Sequence, residues 1–260
     1  MKGKVITVIN QKGGVGKTTT ALNLAAGLAE SMLDVLLIDL DGQCNATQGL
    51  GIEGARDVSV YEVIMGEATP AEAILPTYHE LLDVLPSHIN LNGAKVELVS
   101  MAEREFRLKK AIDPLRERYA FIIIDSPPSL DLLTVNALTA SDSALIPIQC
   151  EYYALEGLGH LIRTLQKVRQ GLNKDLDIEG VLMTMHDRRT SLSSQVMEEV
   201  RKHFKGAVYD TYIPRNVRLA EAPSFGKTIF EYDPYSSGAL AYESLVKEVI
   251  EMNEPKESFG

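Results

Sequence analysis

Eight consecutive residues, Lys12-Gly13-Gly14-Val15-Gly16-Lys17-Thr18-Thr19, hold the densest chemistry in this 260-residue chain. Glycines let successive backbone N–H groups close around an anion, and a helix starting at such a turn adds the positive end of its dipole. Lys17 is spaced to reach the β- and γ-phosphates of a nucleotide, and the Thr18 hydroxyl to ligate Mg²⁺. The generic pattern G-x-x-x-x-G-K-[ST] would need glycine at position 11, which is Gln11; this chain instead has a second lysine, Lys12, at the head of the loop. A bare glycine pair can be an empty turn. Two placed lysines, a threonine and the correct flanking elements make it a nucleotide site.

Those flanking elements are legible. Val5, Ile6, Val8 and Ile9 form a β-branched run of the kind found in buried parallel strands, and residues 21–29 place apolar side chains at helical spacing. A second apolar run over residues 34–41 ends in Asp39 and Asp41, and a third over residues 119–125 ends in Asp125. Open parallel sheets bind ligands beyond the carboxyl ends of their strands, so these acids converge on the loop. Strand period does not choose between Asp39 and Asp41. A carboxylate at Asp125 would hold a water on Mg²⁺, which keeps several of its waters.

Further strands are expected over residues 81–86, 143–149 and 178–184, and helices over 58–64, 102–118, 191–204 and 239–252. In the third of these helices Leu192, Val196, Val200 and Phe204 recur at four-residue spacing; in the last, Leu240, Leu245, Val249 and Ile250 share a side. Residues 211–227 read as a proline-punctuated loop. The alternation predicts an α/β fold, a doubly wound, mostly parallel sheet with helices on both faces. One domain over residues 1–260 is expected, with 253–260 a frayed tail.

The doubled lysine resembles the deviant Walker A motif of the ParA/MinD ATPases. Asp41-Gly42-Gln43 stands where ParA proteins usually carry Asp-Pro-Gln, and Asp125-Ser126-Pro127-Pro128 resembles the family's Asp-x-Pro-Pro turn. Residues 150–158 and 213–224 are also close to the family's own segments, with Ala220 where serine is common. The resemblance runs from Val5 to about Ile250 and is nearest to chromosomal, Soj-type ParA proteins. It implies an ATPase using ATP and Mg²⁺, with residues 13–19 (Gly13, Gly14, Val15, Gly16, Lys17, Thr18 and Thr19) around the phosphates. Lys12 would cross a dimer interface to the partner's nucleotide, and Lys17 would act within its own subunit. Asp41 would orient the attacking water and join Thr18 and Asp125 around the metal, while Pro214 and Asn216 would lie beside adenine. Gly42 in place of proline leaves room for slow turnover. No role is read for Tyr152 or Tyr153.

The family also implies an ATP-dependent homodimer that binds double-stranded DNA non-specifically. A ParB-type centromere-binding protein would stimulate hydrolysis and release it, so that a chromosome or plasmid segregates. With a net charge of −10, any DNA contact must come from a local patch. Between Asp187 and Lys227 eight basic residues stand among five acidic ones, a balance of +3 against about −13 elsewhere. The resemblance points to Arg189 and Arg218 as phosphate contacts, supported by Arg188, Arg215 and Lys227.

Cys44 and Cys150 stand alone, which fits a reduced cytosolic setting. The chain opens almost directly on its first strand, leaving no room for a signal peptide. No apolar run nears the ~20 residues that span a bilayer. A cytoplasmic, nucleoid-associated protein with no membrane partner is the expectation. A MinD-like membrane ATPase would end in a basic amphipathic helix, whereas residues 246–254 are acidic. A reductase or iron–sulfur scaffold would need clustered or suitably placed cysteines, and neither Cys44 nor Cys150 follows the Asp125 strand at the required place. A relative that positions another cargo, or a nucleotide switch with little turnover, shares the motifs and is separated only by experiment.

Overall fold

A computed structural model of the protein describes residues 2–52, 58–151, 154–187 and 189–254. The strands are β1 Lys4–Val8, β2 Val35–Asp39, β3 Leu75–Pro76, β4 Leu82–Leu85, β5 Phe121–Asp125, β6 Ser143–Gln149, β7 Asp177–His186 and β8 Val208–Pro214. Among the described residues they form one sheet in the order β3-β4-β2-β5-β1-β6-β7-β8. Every pairing is parallel except β3 with β4 at one edge.

The helices are α1 Lys17–Glu30, α2 Asn45–Gly49, α3 Val60–Met65, α4 Pro70–Ala73, α5 Leu91–Glu97, α6 Arg107–Ile112, α7 Leu132–Ala140, α8 Ala154–Gly171, α9 Ser191–His203, α10 Val217–Glu221, α11 Ile229–Tyr232 and α12 Ser237–Asn253. They cover both faces of the sheet. On one face, Leu22 and Leu28 of α1 pack with Tyr242, Leu245 and Val249 of α12. On the other, α3, α5, α6 and α7 bury Ile64, Leu91, Ile112 and Leu133, and α8 adds Leu161. β2 and β5 are buried along their whole length, which is why their sequences run apolar without alternation.

Register sets up the site. Val8 pairs with Asp125 and Asp39 pairs with Asp125, so β1, β5 and β2 end flush. Side chains level on adjacent parallel strands share a face, which brings the Asp39 and Asp125 carboxylates together. The sequence places the strand end at Asp41; β2 in fact stops at Asp39 and Asp41 lies in a turn beyond it.

Other departures have local causes. The helix expected over 102–118 is only α6, followed by a 3₁₀ turn Asp113–Glu117. Pro114 has no N–H to give and its ring clashes with the preceding turn of an α-helix. Leu240 is 52% exposed, because α12 buries the stripe Ala239, Tyr242, Leu245, Val246 and Val249 and position 240 falls off it. Leu192 is exposed for the same reason, while Val196 and Val200 are buried. The segment 211–227 is the end of β8 followed by α10 and a 3₁₀ turn, Ala222–Phe225. Asn253 ends α12, where its amide donates to Glu179 Oε1 at 2.5 Å. Tyr152, Tyr153 and 255–260 lie outside the described residues.

Candidate active site

The phosphate loop hangs from the middle of the sheet. Asn10 anchors its start, its Nδ2 donating to the Pro147 carbonyl at 2.8 Å and its Oδ1 accepting from the Lys12 N–H at 3.0 Å. Val15 is buried, and its carbonyl accepts from the Thr184 hydroxyl at 2.8 Å, so the end of β7 pins the loop's centre. Gly14 and Gly16 hold φ of 73° and 89°, a left-handed backbone that disfavours side chains. A Cβ at Gly13 or Gly14 would meet nothing within 4 Å, so the cradle is open. Helix α1 begins at Lys17, directly after Gly16, with no side-chain cap and no acidic residue in its first turn. Its first N–H groups are left for an anion.

The two lysines part company here. Lys17 is buried inside the cradle and its Nζ donates to the Lys12 carbonyl at 3.2 Å. Burial lowers its pKa, opposed by the charges of Asp125 and then Asp41. Lys12 turns outward: its side chain is 54% exposed and pairs with Glu151 at 2.5 Å.

Asp125 is fully buried, and neither carboxylate oxygen accepts a hydrogen bond of ordinary geometry among the described residues. Burial and then the neighbouring Asp39 push its pKa well up, while the nearby Thr18 hydroxyl and Lys17 pull it down. An orphaned buried carboxylate is costly unless a cation meets it. Beside a threonine hydroxyl, this donor set fits a hard, oxygen-seeking ion such as Mg²⁺, which Thr18, Asp125 and Asp41 would hold.

The structure separates the two acids that strand period leaves tied. Asp39 is fully buried and works inward: it accepts from the Thr47 N–H at 2.8 Å, the Thr47 hydroxyl at 2.7 Å and the Asp41 N–H at 3.1 Å. Burial pushes its pKa up to about 6, and the Thr47 bonds oppose the rise. Thr47 Oγ1 also accepts from the Ser87 N–H at 3.0 Å, joining β2, α2 and the exit of β4. Asp41 is half-buried on the turn, its Oδ1 accepting from Gln43 N–H at 3.1 Å. Sequence reasoning misses Thr47; the signal is that a fully buried aspartate needs donors, and a threonine eight residues on supplies two.

A family model described as an AAA domain matches residues 3–178. The sporulation initiation inhibitor protein Soj of Bacillus subtilis (strain 168) is 58% identical over 248 residues, spanning 95% of this chain and 98% of Soj. The chromosome partitioning protein ParA of Myxococcus xanthus (strain DK1622) is 52% identical over 98% of this chain and 90% of its own length. The chain belongs to the ParA/Soj family of partitioning ATPases. Among solved structures, cobyrinic acid a,c-diamide synthase from Mycobacterium smegmatis with bound ADP and magnesium shares the fold with a TM-score of 0.84. It is 38% identical, covering 95% of this chain and 94% of that one.

In this ParA/Soj member, Pro214 ends β8 beside a cleft of about 780 Å³, lined also by Asp187, Arg189, Arg215, Ser237 and Leu240. Asn216 has partners within the protein. Its Oδ1 caps α10 by accepting from Arg218 N–H at 2.7 Å, and its Nδ2 donates to Ser237 Oγ at 2.8 Å, tying α10 to α12.

The basic residues divide as well. Arg189 grips Asp187 with two side-chain bonds, 2.9 and 2.7 Å, and holds that carboxyl well below the usual range. Arg218 pairs with Glu221 at 2.9 Å and Asp233 at 3.4 Å. Arg215 and Lys227 are exposed and have no carboxylate within salt-bridge distance among the described residues. Arg188 lies outside the described residues. No described helix is long and apolar enough to cross a membrane.

Proposed function

We propose that this ParA/Soj ATPase is an ATP-gated dimer that carries DNA cargo, the whole chain acting as one ATPase unit. The observation that carries the reading is the divergence of its two loop lysines, Lys17 into its own cradle and Lys12 away from it. A lysine that served only its own nucleotide would gain nothing by facing solvent. Facing outward, Lys12 is placed to meet the nucleotide of a second copy, where an in-trans cation stabilises charge on the transferring phosphoryl group. Its pair with Glu151 is exposed on both sides, and such pairs contribute little, so a partner's triphosphate outcompetes it.

Within each subunit, backbone N–H groups of residues 13–19 and Lys17 bind the ATP phosphates. Mg²⁺, when bound, neutralises phosphate charge. Asp41, the less buried of the two acids at the end of β2 and just beyond it, orients the attacking water. Pro214 supports the base. The dimer binds duplex DNA non-specifically through a doubled basic patch, which places it on the nucleoid, and a ParB-type partner stimulates hydrolysis and release. The names of the Myxococcus xanthus relative and of its Caulobacter vibrioides counterpart, both chromosome partitioning proteins, support a role in partitioning.

Sedimentation with ATP, ADP or no nucleotide tests it. Wild type should dimerise with ATP alone, and Lys12→Ala should stay monomeric while still binding ATP. Undiminished Lys12→Ala dimers would overturn the in-trans assignment.

A further inference from the structure

Residues 41–44 close a tight turn, the Cys44 N–H donating to the Asp41 carbonyl at 2.9 Å. Gly42 and Gln43 are its two corners. Proline is favoured at a first corner because its ring fixes φ, whereas glycine leaves the corner loose. Nothing in the backbone asks for glycine at this position. Gly42 is not among the residues with positive φ, and its N–H donates no backbone hydrogen bond among the described residues.

What Gly42 provides is room. A Cβ there would stand 2.7 Å from Asn92 Oδ1 and 2.8 Å from Asn92 Nδ2. Asn92 is the second residue of α5, a helix fixed by buried Leu91 and Ala94 and by Lys95, which pairs at 2.8 Å with Asp131 at the start of α7. Its carboxamide therefore reaches the corner from a helix held in place by packing and occupies the space that the first side-chain carbon of a proline would take. On the inner side, the Asp41 N–H is already held by Asp39. The turn is clasped from both sides.

We propose that Asn92 is a positioning residue for Asp41, supplying from outside the turn the restraint that a proline supplies from within. It acts through the turn and need not touch nucleotide. The kinetic side of this inference rests on reading Asp41 as the carboxylate that orients the attacking water.

Two readouts test it. One is basal kcat and KM for ATP. The other is the rate at which a thiol reagent labels Cys44 in nucleotide-free protein, since Cys44 ends the turn with its Sγ 3.7 Å from the Gly42 carbonyl. Cys150 is buried and serves as the slow internal thiol. Asn92→Ala should lower kcat about fivefold at unchanged KM and label Cys44 about fivefold faster. Adding Gly42→Pro should return both to within about twofold of wild type, because the ring restores the lost restraint. Wild-type kcat and labelling in Asn92→Ala, or a double variant no closer to wild type than the single, would overturn the proposal. Asp41→Ala separates it from the reading beneath: turnover surviving that change would remove Asp41 from the chemistry, and Cys44 labelling would still decide what Asn92 does to the turn.

Discussion

Along one edge of the sheet, the ends of β1, β2 and β5 and the ends of β7 and β8 treat charge in opposite ways. At the first, Lys17, Asp39 and Asp125 are buried, and Asp125 is left with open acceptors. At the second, Arg189 and Arg218 lie in solvent, each satisfied by a carboxylate a few residues away in sequence. A buried charge without a protein partner requires a ligand, so it specifies chemistry. An exposed arginine can trade a neighbouring carboxylate for a phosphate at small cost, so it specifies little until a partner arrives.

The sharpest way to break this contrast is Lys17→Ala. It should weaken ATP binding by about a hundredfold or more, since it removes a charge-assisted hydrogen bond in a desolvated site. Near-normal affinity by calorimetry would mean that burial does not control the phosphate end.

At the other end, the pairing changes which arginines matter. Arg215→Ala with Lys227→Ala should lower ATP-dependent duplex binding about tenfold and flatten the salt dependence by roughly one unit of slope for each phosphate no longer neutralised. Arg189→Ala with Arg218→Ala should cost less, because those cations are already partly neutralised. A salt titration on random-sequence DNA that ranks the pairs the other way would restore the order the resemblance implied.

The smallest effect belongs to Thr47→Val, which keeps shape but strips the hydroxyl from Asp39 and Ser87. It should cost about 1–3 kcal/mol and lower Tm by roughly 5 °C, read by calorimetry. An unchanged Tm would show that the buried half tolerates missing partners as the exposed half does.

The same contrast explains what the amino-acid order reveals. The phosphate loop and Asp125 are legible because each depends on a contiguous run: apolar strand, then glycines or an acid. Strand period alone left Asp39 and Asp41 unranked, since their surroundings depend on where β2 stops and which way the chain turns. Thr47 and Asn92 come to the site from elements whose positions follow from packing, so no spacing announces them. The basic residues could be counted but not sorted, because their pairing depends on which carboxylates the loops bring near. Pro114 is a readable break within the helix expected over 102–118, and it ends that helix as proline chemistry requires.

The strand order also governs when the site can exist. The first strand made lies in the middle of the sheet, with Lys4 beside Phe121 on one side and Ile6 beside Ser143 on the other. A ribosome adding about 5–20 residues per second leaves the glycine loop without walls for on the order of ten seconds. Pairings that distant in sequence also form slowly once available. Nascent chains that stop short of β6 therefore lack one wall of the cradle, so the complete site exists only when more than half of the protein has been built.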